Sequence, residues 1–285
     1  MEVLDYIYGI VVTSDRTLGN AMRLLLFALA LIAGSWGCPL AAQSLSNDPA
    51  LATQSPSAAR LTDIGSTIHY VVTKGATIYT EPDGKRPYVR LRFREPVYVL
   101  STENGWSRIH TQDGARGYID ASDVSNVWIW VSKHRKRVYL YRGLALVLEV
   151  PADFGYNAIL DKEKRGTEAN PDHWRTPEGA FFVVRKNPYS QFYKALLLNY
   201  PNAEDAERGL RTGLINERQY ESIMRADETS SVPPMNTALG GYIEIHGDGT
   251  GRAANWTQGC VAVRNDHLDL LWEAVSVGTP VIIEK

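Results

Sequence analysis

Cysteine is scarce in this chain of 285 residues, which holds only 2, Cys38 and Cys260. So small a number excludes a cysteine-rich zinc site. Cys38 lies in an N-terminal apolar segment, and loss of that segment leaves Cys260 as the lone thiol, with no intramolecular disulfide. An excess of charge of one sign is also missing. Lys and Arg number 30 against 32 Asp and Glu, a formal net charge of −2, so nothing draws the whole chain to nucleic acid or to an anionic membrane. The apolar run at 24–33 falls short of the roughly 20 residues that span a bilayer.

What is present is the composition of a folded protein. The hydrophobic fraction is 44%, with 15 Tyr and 7 Trp. Aromatics at this level suit strand-rich architecture and carbohydrate or peptide ligands, although core packing is their commoner use. The length allows one large or two smaller domains.

The N-terminal 1–42 read as a signal or targeting segment. Arg23 opens it, the apolar run follows, and Ala41-Ala42 supply small residues for cleavage. Met22 is then the expected start of the precursor. Membrane attachment arises only if this segment stays uncleaved or Cys38 is lipidated, and Ser35 and Trp36 are poor residues ahead of a lipidated cysteine. The expected location is the periplasm or cell envelope. Residues 43–67, rich in Ser, Ala, Asn, Asp and Pro, read as a flexible linker.

Between 68 and 125 short β-type runs alternate with turn signals such as Pro82-Asp83-Gly84, Asn104-Gly105 and Asp113-Gly114. That spacing suggests a small barrel. Gly105-Trp106-Ser107-Arg108-Ile109, followed by Gly114-Ala115-Arg116-Gly117-Tyr118-Ile119, resembles a bacterial SH3-like domain. Trp106 and Tyr118 are expected in its core.

From 126 to 285 a second domain is expected. Runs at 127–131, 138–141 and 144–150 read as strands, and Lys133–Arg137 between two of them as a solvated hairpin turn. Another strand is expected at 180–184. Residues 187–237 break the β pattern, with helices at 202–208 and 216–226 capped by Asn202 and Asn216. This insertion reads either as a lid or as packed decoration. A strand at 241–246 ends on His246, Asn265 is placed to cap a final helix, and residues 281–284 close the fold as a strand.

The chemistry gathers at His246 and Cys260. A thiol is mostly protonated at neutral pH, and the thiolate is the nucleophile. An imidazole can take that proton and later return it to a leaving amine, if a third group fixes its tautomer. Gly247, Gly249 and Gly251 follow the histidine, and Gly259 precedes the cysteine, where a small residue lets backbone N–H groups approach an oxyanion. A lone cysteine is, however, more often a small buried hydrophobe, so spacing alone leaves catalysis open.

His246-Gly247, then Thr257-Gln258-Gly259-Cys260-Val261-Ala262-Val263, then Gly278-Thr279-Pro280-Val281 resemble the signature of the L,D-transpeptidase (YkuD-type) catalytic domain. Thr176-Pro177-Glu178-Gly179 resembles that family's upstream Thr-Pro-x-Gly segment. The resemblance implies a mainly β fold with α insertions: a YkuD-type β-sandwich with a helical insertion, behind the small SH3-like barrel. It implies a cysteine acyltransferase acting on peptidoglycan stem peptides, with no metal or organic cofactor. Cys260 is implied as nucleophile, His246 as general base and acid, the Gly247 carbonyl as orienting group, and Gly259 as an oxyanion-hole donor. Gln258, Arg264 and Arg175 are candidates for substrate binding. Gln258 stands where most of the family has His, and Ala262 where it usually has Arg or Asn, which leaves the acyl acceptor open. A second stem peptide, a wall-linked lipoprotein and water are the alternatives. Hydrolysis on the same scaffold and a non-catalytic wall-binding protein compete with the transferase reading.

Overall fold

A computed structural model describes residues 68–285. The signal and linker expectations, 1–42 and 43–67, lie outside the described residues.

The first part is a seven-stranded antiparallel sheet. Its strands are β1 (Ile68–Val71), β2 (Thr77–Tyr79), β3 (Pro87–Arg90), β4 (Pro96–Glu103), β5 (Trp106–Thr111), β6 (Arg116–Asp120) and β7 (Val124–Ser125). The ladder runs β3-β2-β6-β5-β4-β1-β7, with β3 and β7 as its edges. Its core is small and aliphatic: Val71, Ile78, Leu91, Val97, Ile109 and Ile119. Trp106 and Tyr118 are half-buried and not part of that core. Trp106 instead meets Tyr79 edge-on at 5.6 Å. Side chains alternate across a strand, and on β5 and β6 the buried positions fall on Ser107, Ile109, Thr111 and Ile119, which turns Trp106 and Tyr118 to the other face.

The second part holds an eight-stranded mixed sheet. Its strands begin with β8 (Val127–Ser132), β9 (Arg137–Arg142) and β10 (Ala145–Pro151), an antiparallel meander. The short β11 (Phe154–Gly155) leads into an irregular segment, followed by β12 (Gly179–Ser190) and β13 (Tyr193–Leu198). Helices α1 (Ala203–Arg211) and α2 (Glu217–Glu228) come next. Then follow β14 (Glu244–His246), β15 (Asn255–Thr257), β16 (Val261–Ala262), helix α3 (Asn265–Ala274) and β17 (Pro280–Glu284). The order is β10-β9-β8-β17-β12-β13-β14-β16, and β17–β8 and β14–β16 are the parallel pairs. The core runs from Val127, Ile129 and Val131 through Phe154, Phe181 and Leu196 to Leu268 and Leu271 of α3. The architecture is mainly β, as the sequence suggests.

Three differences from the sequence reading matter. First, β12 continues to Ser190 and turns into β13, where a break in the β pattern is expected. Ala195, Leu196, Leu197 and Leu198 are all buried, and a strand covered on both faces shows no alternation to read. Second, Lys133 is not a solvated turn residue. Its side chain is fully buried, and Nζ donates to Leu160 O (2.9 Å), Thr176 O (3.1 Å) and Glu178 Oε1 (2.7 Å). Third, Asn265 does not cap α3: the N-cap is Arg264, without a side-chain bond. Asn265 Oδ1 is taken instead by the N–H of Asp248 at 2.7 Å.

Asn202 and Asn216 each cap their helix through a reciprocal capping box. The helices share a small core of Ala206, Ile215, Ile223 and Leu239. Asn202 also ties α1 to the sheet, donating to Ala180 O at 3.1 Å. Asn216→Ala is expected to lower unfolding free energy by about 1 kcal/mol. Asn202→Ala, which loses the Ala180 bond as well, is expected to cost about 2 kcal/mol. Urea unfolding midpoints of the two variants check the order.

Candidate active site

His246 ends β14, which lies between β13 and β16. The antiparallel register pairs Ala195 with His246, and the parallel register pairs His246 with Ala262. Paired residues of neighbouring strands project to the same face, and alternate residues of one strand share it. Extending the parallel register by two residues sets Cys260 level with Glu244, and a backbone hydrogen bond of Glu244 does reach the Cys260 sulfur. His246 and Cys260 therefore stand on one face of adjacent strands, diagonally placed.

Parallel strands cannot be joined by a tight turn. The connection between 246 and 260 leaves the sheet and returns, and its glycines permit close passage. A Cβ on Gly247 would run into Asn265 Oδ1 and, at 2.9 Å, Phe192 O. One on Gly259 (φ +130°) would stand 2.6 Å from Arg175 O. Thr257 Oγ1 closes the returning turn, donating to Cys260 O at 2.7 Å and accepting the Gly259 N–H at 3.2 Å. The Gly259 donor is thus engaged in the resting structure.

The imidazole of His246 is 1% exposed. Nδ1 lies 2.7 Å from Gly247 O. A carbonyl only accepts, so Nδ1 carries the hydrogen and Nε2 keeps its lone pair. The ring stacks on Phe192 at 4.5 Å and meets Trp256 edge-on at 6.1 Å. Burial pushes its pKa below the ordinary 6.5, against the Gly247 bond and the charges of Asp248 and Asp153. The imidazole is neutral at pH 7.

Cys260 keeps some exposed surface, yet burial is the dominant influence on its sulfur. It pushes the thiol up to about 12, and the Glu244 carboxylate adds to it, while the Glu244 backbone bond and the Lys162 charge oppose it. The S–H donates to Tyr242 O at 3.3 Å. At rest the site therefore holds a thiol and a neutral imidazole, not an ion pair.

Asp153 is the residue that sequence reasoning misses. It follows β10 without any periodic signal, and it has no exposed surface. Its carboxylate accepts from Thr250 N (2.6 Å), Thr250 Oγ1 (2.9 Å), Ala254 N (2.8 Å) and Trp256 Nε1 (2.8 Å). Its backbone exchanges both hydrogen bonds with Ala262. One side chain thereby holds the connecting loop and sets Trp256 against His246. Phe192 is missed as well, because it sits in the β12–β13 turn that lay within the expected break.

Among the other sequence candidates, Gln258 is exposed two residues before Cys260. Arg264 is exposed and paired with Asp266 at 2.9 Å. Arg175 is 6% exposed. Its guanidinium is used inside its own loop, on Asp172 O (2.8 Å), Asp161 O (3.2 Å) and the Asp172 carboxylate (2.5 Å). Ala262, at the family's polar position, is fully buried. Among the described residues no cluster of His, Cys, Asp and Glu is arranged to hold a metal ion.

Burial disfavours ionisation of Asp153, but the bonds from Thr250, Trp256 and Ala254 outweigh it and hold the carboxyl below its ordinary 3.8. A depressed carboxyl stabilises fully above that ordinary value and loses its contribution as pH falls through the folded value. Asp153→Asn turns an NH2 toward N–H donors and is expected to cost about 2–3 kcal/mol. Urea unfolding at pH 7 and at pH 3 checks this, with the gap between wild type and variant narrowing at the lower pH.

The sequence pattern of YkuD, the L,D-transpeptidase catalytic domain, matches residues 126–283. Among curated proteins nothing matches. Similar solved structures include Bd1075 of Bdellovibrio bacteriovorus, at 23% identity over 56% of this chain and 48% of that one, with a TM-score of 0.36. The L,D-transpeptidase of Xylanimonas cellulosilytica is 15% identical over 56% of this chain and 61% of that one, with a TM-score of 0.35. That of Mycobacterium tuberculosis is 12% identical over 81% and 86%, with a TM-score of 0.34. The chain thus spans less than two thirds of the first two structures. With its pattern matched over more than half its length, the chain belongs to the YkuD family of L,D-transpeptidase catalytic domains.

Proposed function

We propose that this protein is a cell-envelope L,D-transpeptidase that transfers peptidoglycan stem peptides through a thioester on Cys260. The observation that supports it most is the imidazole of His246. It is neutral, held in one tautomer by Gly247 O, and set on the strand beside the one that Cys260 opens.

In this reading the thiol rotates away from Tyr242 O. Nε2 of His246 takes the sulfur's proton as Sγ attacks the carbonyl of the third stem residue, a diamino acid. Because the thiol is pushed up to about 12, proton transfer accompanies attack rather than preceding it. The S–C bond forms and the carbonyl electrons move to oxygen, where the N–H groups of Gly259 and Cys260 receive the charge. The Gly259 donor exchanges Thr257 Oγ1 for the oxyanion. The C–N bond then breaks, and imidazolium protonates the departing D-alanine amine. An amine of a second stem peptide attacks the thioester, gives its proton to His246, and the sulfur leaves and is reprotonated. A wall-linked lipoprotein amine or water can take the same place. Gln258, exposed two residues before Cys260, and Arg264, exposed at the start of α3, are the proposed substrate contacts. Arg175 supports the turn behind Gly259 from its buried position.

The domain reading belongs to the same proposal. Residues 1–42 direct export to the periplasm, 43–67 link, 68–125 form the SH3-like domain, and 126–285 form the catalytic domain.

Purified protein incubated with tetrapeptide muropeptides should give 3–3 cross-linked dimers and a mass adduct on Cys260, both lost in Cys260→Ala. Tripeptides with free D-alanine and no dimer would identify a carboxypeptidase instead. Activity retained by Cys260→Ala would remove the cysteine mechanism altogether. The depressed His246 pKa sets the acid limb. Its neutral form is complete above the ordinary 6.5 and is lost only as pH falls through the lower folded value. The acid limb of kcat/KM is therefore expected below pH 6.5, measured from D-alanine release.

A further inference from the structure

We infer that Phe192 supports the His246 imidazolium: the face of its ring lies under the imidazole and receives the positive charge that forms there during acyl transfer. The inference deepens the reading above, since it rests on His246 being the group that carries the proton. Phe192 acts through His246 and is therefore a positioning residue.

Phe192 lies in the two-residue turn between β12 and β13. Tyr193, which leaves the turn, has φ +71°, a conformation that bulky side chains rarely adopt. Bonds on both sides hold it there. Phe192 N–H donates to Ser190 Oγ at 3.1 Å, and the Tyr193 hydroxyl donates to the Asp269 carboxylate at 3.0 Å. Gly247 N–H donates to Phe192 O at 3.0 Å and is shared with Lys194 O at 3.2 Å. The carbonyl of the same Gly247 holds His246 Nδ1 at 2.7 Å. One residue thus fixes both rings, with its N–H on Phe192 and its carbonyl on His246. Only glycine fits there, because a Cβ would stand 2.9 Å from both Phe192 O and Tyr193 Cβ.

The product of these bonds is a stack. The ring centroids are 4.5 Å apart, with the planes 25° from parallel. Trp256 stands steeply across both rings, 6.1 Å from His246 and 6.3 Å from Phe192. An aromatic face carries negative potential and attracts a cation within about 6 Å of its centroid. A neutral imidazole gains less from that face than an imidazolium does, so the stack favours the protonated ring. The preference matters because the imidazole is 1% exposed, which leaves water little access to the new charge. The charged groups that act on the ring are Asp248 on the loop and Asp153. The Asp153 carboxylate is already occupied by donors from Thr250, Ala254 and Trp256. On β13, Lys194 is paired with Asp269 at 2.7 Å. Burial pushes Glu244 up on β14 and keeps Cys260 a thiol. Phe192 is stacked directly on the ring.

The test changes the charge of the face and not its shape. Full-length protein is made with mono-, tri- and pentafluorophenylalanine in place of Phe192, and as Phe192→Leu, each checked for folding by its melting temperature. Fluorine withdraws the negative potential from the ring while leaving it flat and apolar. The titration of His246 is followed by NMR of histidine-labelled protein over about pH 4–8, its signal identified by its loss in His246→Gln. The midpoint should fall with each step of fluorination, by about 0.5–1 pH unit at the pentafluoro ring, and Phe192→Leu should fall as well. One midpoint shared by the whole fluorinated series would overturn the inference. A fall confined to Phe192→Leu would overturn it too, since that marks lost packing and not the ring's charge. The titration needs no muropeptide: a graded midpoint supports the stack even where no cross-linked dimer forms, and a flat one removes it even where dimers do form.

Discussion

The site depends on one pairing, the short parallel ladder between β14 and β16. Parallel strands demand a crossover, and here the crossover is a polar, glycine-rich loop instead of a helix. Apart from Trp256 such a loop has little apolar surface to bury, so polar bonds must do most of the holding. Asp153 holds it with its carboxylate, taking three bonds from Thr250 and Ala254 and a fourth from Trp256. A buried carboxylate is costly when unpaired and strongly bound when saturated with N–H and O–H donors. That satisfied charge holds the loop's middle and the edge of Trp256 against the imidazole, while the pairing of β15 with β11 and the Thr257 hydroxyl hold the return of the chain at Cys260.

The electrostatics follow a single rule. Burial favours the neutral form of both side chains, lowering His246 and raising Cys260. Two neutral partners leave no standing thiolate, the form of a thiol that is oxidised or alkylated. The segment behind them, between β11 and β12, is organised oppositely. It has little regular structure and is held by buried cations, Lys133 and Arg175 chief among them, donating to backbone carbonyls. Carbonyl oxygens left over by an irregular chain need donors, and long cationic side chains reach several at once.

Much of the frame is legible in the sequence because it is written locally. Asn202 and Asn216 precede helical runs and do cap them. His246, Gly247, Gly259 and Cys260 stand out because glycine beside a reactive type is informative by itself. What is not legible comes from contacts distant in the chain. Lys133 sits in a run of basic residues, where solvation is the sound expectation; only Glu178 and the carbonyls around it make burial favourable. Asn265 has the right place and type for a cap, but Asp248, brought close by the loop after His246, takes its carbonyl oxygen first. Asp153 carries no pattern at all, since its partners lie about a hundred residues further along.

The first sheet is tied to this arrangement through specific contacts. Tyr70 donates to Val127 O at 2.6 Å and to Thr279 Oγ1 at 3.2 Å. The Arg94 guanidinium lies 3.6 Å over the ring of Phe182, and burial there draws it down to about 10 despite the charge of Asp227. Phe93 occupies the space beside Gly278. Phe182 in turn belongs to a cluster with Val184, Leu197 and Met235. The sulfur of Met235 accepts the N–H of Tyr242 at 3.2 Å, and the carbonyl of Tyr242 holds the Cys260 thiol. A continuous set of packed and bonded groups therefore runs from Arg94 to Cys260. Arg94 on Phe182 and Tyr70 on Val127 O and Thr279 Oγ1 therefore act together: a cation over a ring and a hydroxyl on two oxygens hold the first sheet to the second at separate points, which one contact alone could not do against rotation.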